Sequence, residues 1–137
     1  MTLDAFLFFG MIGFLSTHEL DAVQKHEWRV LPLTSWMSEM VGRQVFVFAH
    51  VPLFFLISWI VAQRSQSKAA VALSTFAVVH VGLHWAFRNH PKYEFCGFGS
   101  QALIVGAGVL GLGHMLSLAT AWTFSLDTPS HPLTHTP

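Results

Sequence analysis

Four long apolar stretches leave this chain few ways to fold. The first begins at Leu3, runs through Leu15 and passes into a polar segment with no turn signal between. The second runs from Val45 to Ala62, the third from Ala69 to Phe87 and the fourth from Gln101 to Leu126. A segment inside a bilayer must satisfy its own backbone amides, so each stretch is expected to be a helix. Only 10% of the residues are charged, against about 25% in a soluble domain, so a normal wet surface is missing. The expected fold class is all-α, a four-helix transmembrane bundle over residues 1–126 with the lipid bilayer as its solvent. Residues 127–137, with three prolines and no apolar pattern, read as a disordered tail.

Formal net charge is zero and no basic cluster occurs, so nucleic acid is not an expected partner. Cys96 is the single cysteine, which rules out an intrachain disulfide. The start Met-Thr-Leu-Asp lacks a positive n-region, so the first apolar run is expected to be retained.

The segment Thr17–Arg29 holds three of the seven acidic residues (Glu19, Asp21, Glu27) together with His18, His26, Lys25 and Arg29. No Gly or Pro interrupts Phe14 to Leu31, so the first helix is predicted to continue through it. At 100° per residue, His18, Glu19, Asp21, Lys25, His26 and Arg29 then share an arc of roughly 160°, with Glu27 on the far side. Such an ionisable face must be buried in protein or line a wet cavity.

Pro32 is read as a stop, and Thr34 or Ser35 as the N-cap of the second helix, which carries a Glu39/Arg43 pair one turn apart. Pro52 interrupts the apolar run two residues after His50, where a kink is expected. The third helix carries His80 and His84 one turn apart, and Asn89-His90-Pro91 ends it. In the fourth, Ser100, Ile104, Ala107, Gly111 and His114 recur at steps of four and three, a face that lets another helix approach closely. Packing within the bundle is the expected use, and pairing with a second copy would make a homo-oligomer. Trp28, Trp36 and Trp85 fall at one set of helix ends, Trp59 and Trp122 at the other, as interfacial aromatics do. Lys25, Arg29, Arg43, Arg88 and Lys92 lie toward the Trp28 side, which the positive-inside rule assigns to the cytoplasm, with both termini outside.

Counted at 1.5 Å per residue from the Trp28 side, His18, His50, His80 and His114 lie at ~13 to ~21 Å depth, and His84 lies nearer the mouth. Intramembrane ionisable groups point to function by default. The residues support three readings. In the first, imidazoles and carboxylates bind one or two transition metal ions, Zn or Fe, with His18, Asp21, His50, His80 and His84 as ligands and Glu19 as acid/base. In the second, histidine pairs hold a haem between helices, as in an electron carrier. In the third, the buried histidines are hydrogen-bonded structural or ion-conducting groups. Arg88 continues the His80/His84 face and is a candidate for binding an anionic group of a substrate, while Tyr93 reads as a surface anchor.

His18-Glu19-Leu20-Asp21, Glu27-Trp28 with Pro32 after it, and His84 followed by Tyr93 resemble the small bacterial membrane proteins of the HXXEE-domain type. The strict pattern would place two adjacent acids after the histidine and its two spacers, where this chain has Asp21-Ala22. The resemblance implies a multi-pass protein of a bacterial inner membrane with a suspected catalytic or metal site. The functional expectation is therefore a membrane-embedded metal-dependent hydrolase or oxidase acting on an apolar or lipid-like small molecule.

Overall fold

Backbone amides that cannot reach water close their hydrogen bonds locally, and the chain does this in four helices. They are α1 (Leu3–Gln24), α2 (Glu39–Ala62), α3 (Lys68–Phe87) and α4 (Phe98–Leu126), with a 3₁₀ turn at Glu27–Arg29. The computed structural model describes residues 1–63 and 67–126, and no strand occurs among them. The expected disordered tail 127–137, with His131 and His135, lies outside the described residues, as does Arg64. All four helices are long and apolar enough to cross a membrane, the arrangement of a multi-pass membrane protein. Large apolar side chains such as Phe6, Phe48, Phe55, Trp59 and Leu116 point outward, as a lipid-facing surface requires.

Helix α4 is the centre of the bundle: α1 and α3 each pack on it more than on one another, and α2 sits at the side. The small-residue face of α4 explains this. Ser100, Ile104, Ala107, Gly111 and His114 are all buried. A Cβ at Gly111 would stand 2.9 Å from the Ser74 carbonyl oxygen of α3 and 3.2 Å from the Met11 sulfur of α1. Only a residue without a side chain allows that approach. Phe8, Met11 and Leu15 of α1 meet Ile57 and Ile60 of α2, Leu73 and Ala77 of α3 and Ala107 of α4 in one apolar cluster. A second cluster, toward the Trp28 end, joins Ala22, Trp28, Phe46, Phe95 and Ile104.

Several expectations change. Helix α1 does not continue through Arg29. It ends at Gln24, the Lys25 amide closes onto the Asp21 carbonyl at 2.8 Å, and His26 adopts φ 51°. Such a left-handed backbone is uncommon outside glycine and asparagine. Tertiary partners hold it here: His26 Nδ1 lies 3.1 Å from Glu94, and Arg29 bridges Glu39 at 2.8 Å and Glu94 at 3.3 Å. Lys25, His26 and Arg29 therefore leave the shared arc.

The second helix starts after Ser38 and not after Thr34 or Ser35, because the Thr34 hydroxyl donates to the Trp28 carbonyl at 2.8 Å and fixes the loop. Glu39 is taken by Arg29 and by the Trp28 indole N–H at 3.2 Å, so the expected Glu39/Arg43 pair does not form. Trp28 is buried beneath the loop, not an interfacial anchor, whereas Trp36, Trp59, Trp85 and Trp122 are exposed. Helix α2 runs through Pro52 to Ala62.

Candidate metal centre

The i, i+4 spacing of His80 and His84 puts both on one face of α3, and that face turns inward. His18 reaches the same place from α1, and all three rings are buried. Their tips converge. His84 Nε2 lies 3.2 Å from His18 Nε2 and 3.1 Å from His80 Nε2. The three donor atoms lie within 4.8 Å of one another, the one such group among the described residues.

Hydrogen bonding uses only part of this arrangement. A neutral imidazole carries one ring proton, so a His84 Nε2–H shared between the His18 and His80 lone pairs is one way to fill it, with one proton serving three nitrogens. A cation at that point would satisfy all three lone pairs. Donor atoms bound at 2.0–2.1 Å in a tetrahedron stand roughly 3.3–3.4 Å apart. The two Nε2 separations from His84 are within a few tenths of an ångström of that, and all three donors lie within 4.8 Å, so the residues present fit a metal ion.

The outer nitrogens differ. If His84 ligates through Nε2, its Nδ1 carries the proton, and Nδ1 lies 3.2 Å from the Tyr93 hydroxyl. That contact holds the ring in place, as supports of metal-ligating histidines do, and the hydroxyl can accept from Nδ1–H as ligation through Nε2 would require. His18 Nδ1 has no partner among the described residues, and neither does the buried Asp21 Oδ2 three residues on in the same helix. One is a potential donor and the other an acceptor, on one helix face.

Glu27 completes the first ring of groups. Its Oε1 lies 3.6 Å from His84 Nε2. Burial pushes its carboxyl up to about 8, and the neighbouring Glu19 and Asp21 charges push the same way. A bare carboxylate is disfavoured there unless a cation stands beside it. A continuous helix would have turned Glu27 away; the break at His26 brings it back. No sequence signal marks that break.

Beside these groups is a recess of about 50 Å³, room for a water-sized molecule, lined in part by Glu27, His80, His84, Tyr93 and Phe95. Its remaining walls are Val30, Leu31, Leu83 and Phe87, all apolar. Tyr93 is thus half-buried against the site and is not the surface anchor that its position suggested.

The other expected residues are placed elsewhere. His50 Nε2 is 2.8 Å from Glu19 Oε2, and His50 Nδ1 is 2.7 Å from the Phe46 carbonyl oxygen. A carbonyl only accepts, so Nδ1 bears a proton and the Glu19–His50 contact holds a second, shared one. Glu19 and His50 form their own pair between α1 and α2, apart from the three-histidine group. His114 is buried at another level, its Nδ1 2.8 Å from the Ser74 hydroxyl. Arg88 is exposed, with its guanidinium 4.1 Å above the Trp85 ring and donating to the Trp85 carbonyl at 3.1 Å, outside the recess.

The buried histidines and apolar helices are together compatible with a metal site inside a membrane protein. Neither a curated protein nor a solved structure matches the chain. The expected kinship with HXXEE-domain proteins is met only in its coarser part, a domain of unknown function, because the matching model is that of another family. That model, described as a family of unknown function (DUF6713), matches residues 4–121, and the chain belongs to this family.

Proposed function

We propose that the protein holds one transition metal ion between α1 and α3, through Nε2 of His18, His80 and His84 with Glu27 beside them. On this reading it acts as a membrane-embedded metal-dependent enzyme on an apolar or lipid-like substrate. One observation carries the reading: three buried imidazole nitrogens converge, with Nε2 contacts of 3.1 and 3.2 Å, where a single shared proton is the most that hydrogen bonding supplies. Structural histidines would be expected to pair off, as Ser74–His114 does. Haem is a poorer fit, since a porphyrin needs flat space between its axial ligands and these nitrogens nearly touch. A three-nitrogen, one-oxygen donor set suits Zn or Fe.

A bound ion would polarise a substrate or activate water at the face left open toward the recess. Glu27, at that face, is the carboxylate closest to an incoming group. Glu19, paired with His50, is the acid/base candidate one step further out. The apolar rim favours an apolar molecule, and Leu83, 45% exposed, is where one would enter from the lipid side. The positive-inside pattern would open this end of the bundle to the cytoplasm. The resemblance to HXXEE-domain proteins around His18 and Glu27 agrees with a site here and names no substrate.

Elemental analysis of protein purified in mild detergent tests the reading. About one equivalent of a single transition metal is expected in the wild type, retained through gel filtration, with loss in His84→Ala. Wild-type protein that stays metal-free after incubation with Zn²⁺ and with Fe²⁺ would overturn it.

A further inference from the structure

A second recess, independent of the metal centre, lies between the end of α1 and the start of α2. It is an open groove of about 840 Å³, with Val23 and Gln24 on one wall and Arg43, Gln44, Val47 and Phe48 on the other. Its charges are unevenly committed. Glu39 is held by Arg29 and Trp28, and His26 by Glu94. Arg43 is exposed and makes no ion pair or hydrogen bond with the described residues. The groove therefore presents one cation with no direct ion pair or hydrogen bond, Arg43, with two side-chain amides, Gln24 and Gln44, above an apolar floor.

The deep end is closed. One helical turn into the membrane from Val23 and Val47 stand Glu19 and His50, whose 2.8 Å contact ties α1 to α2. An apolar chain therefore cannot pass between the helices there. It can run down the outer face of α2, where Phe48, Val51, Phe55 and Trp59 are exposed at steps of three and four. A single negative charge at the membrane surface, joined to a hydrocarbon chain along that stripe, matches both features.

We infer that the α1–α2 groove is a binding site for an anionic phospholipid, its phosphate on Arg43 and its acyl chain on the Phe48–Trp59 stripe of α2. An arginine fork meets phosphate oxygens in a geometry that lysine lacks, and the flanking amides can donate to the same oxygens. The site needs no metal and does not depend on the enzyme reading.

The full chain in mild detergent, exchanged into mixed micelles of phosphatidylglycerol and phosphatidylcholine, gives the test by native mass spectrometry. Phosphatidylglycerol should be retained in preference by roughly tenfold, because both lipids offer the phosphate but the choline ammonium of phosphatidylcholine neutralises it in front of Arg43. Arg43→Gln should abolish the preference, and Lys92→Gln, at the same end of the bundle, should keep it. Val47→Trp, which fills the groove and leaves Arg43 in place, should reduce phosphatidylglycerol retention. Unchanged helicity and gel-filtration profile in each variant would show that the fold is intact. Equal retention of the two lipids, or an undiminished preference in Arg43→Gln, would refute the site. Oleate displacing phosphatidylglycerol at equal concentration would assign the cation to a carboxylate and overturn the phospholipid assignment.

Discussion

At the scale of single residues, the centre divides the nine histidines sharply. His18→Ala or His84→Ala removes a ligand and should weaken metal binding by more than about 100-fold, the upper end of what supporting residues cost. His114→Ala should leave metal content unchanged, because Ser74 and not the centre holds that ring. Competition with a chromogenic chelator distinguishes the two outcomes. Tyr93→Phe keeps the packing and removes only the hydroxyl beside His84 Nδ1, so affinity should fall roughly 10- to 100-fold with helicity unaltered. Matched depth pointed to His18 and His80, and the i, i+4 spacing added His84, but the same depth argument also brought in His50, which pairs with Glu19 instead. Glu27 and Tyr93 were not legible, because each reaches the site through an irregular segment whose course depends on partners distant in sequence. Glu27 depends on His26 and Arg29 meeting Glu94, and Tyr93 on the loop after α3 folding back over His84.

At the scale of helices, hydropathy fixed the four elements to within a few residues, since a bilayer leaves no alternative backbone solution. The end of α1 was the exception. No Gly or Pro marks it, and tertiary contacts override the local preference for helix. The α4 face shows the same logic in its favour, for small residues at steps of four and three did mark the packing surface. Its glycines make a paired prediction. Gly111→Ala places a methyl group 2.9 Å from a backbone oxygen that has little freedom to move. A loss of about 1–3 kcal/mol is expected. Gly13→Ala meets nothing within 4 Å. It should be neutral or stabilise by about 0.5–1 kcal/mol through reduced backbone freedom in the unfolded chain. Thermal unfolding in detergent, followed by circular dichroism, reads both.

At the scale of the whole molecule, the three histidines join α1 to α3, helices that each pack mainly on α4. An ion between them would add a tie to the sparse apolar contacts that α1 and α3 make directly. Removing it with a strong chelator should lower the melting temperature of the wild type, since a ligand bound only to the folded state stabilises by mass action. The same chelator should leave His84→Ala where it was, and re-addition of metal should restore only the wild type. A wild-type melting temperature indifferent to chelator would separate the metal from the fold.

The central position of α4 also bears on timing. Every proposed ligand lies before residue 85, so all of them are synthesised before the helix on which α1 and α3 both pack. Until Phe98–Leu126 docks, α1 and α3 have only their sparse mutual contacts to hold His18 near His80 and His84. On the proposed metal reading, a chain that lacks α4 has the His80/His84 pair but not a firmly held third nitrogen, so full affinity should appear only once the fourth helix is in place.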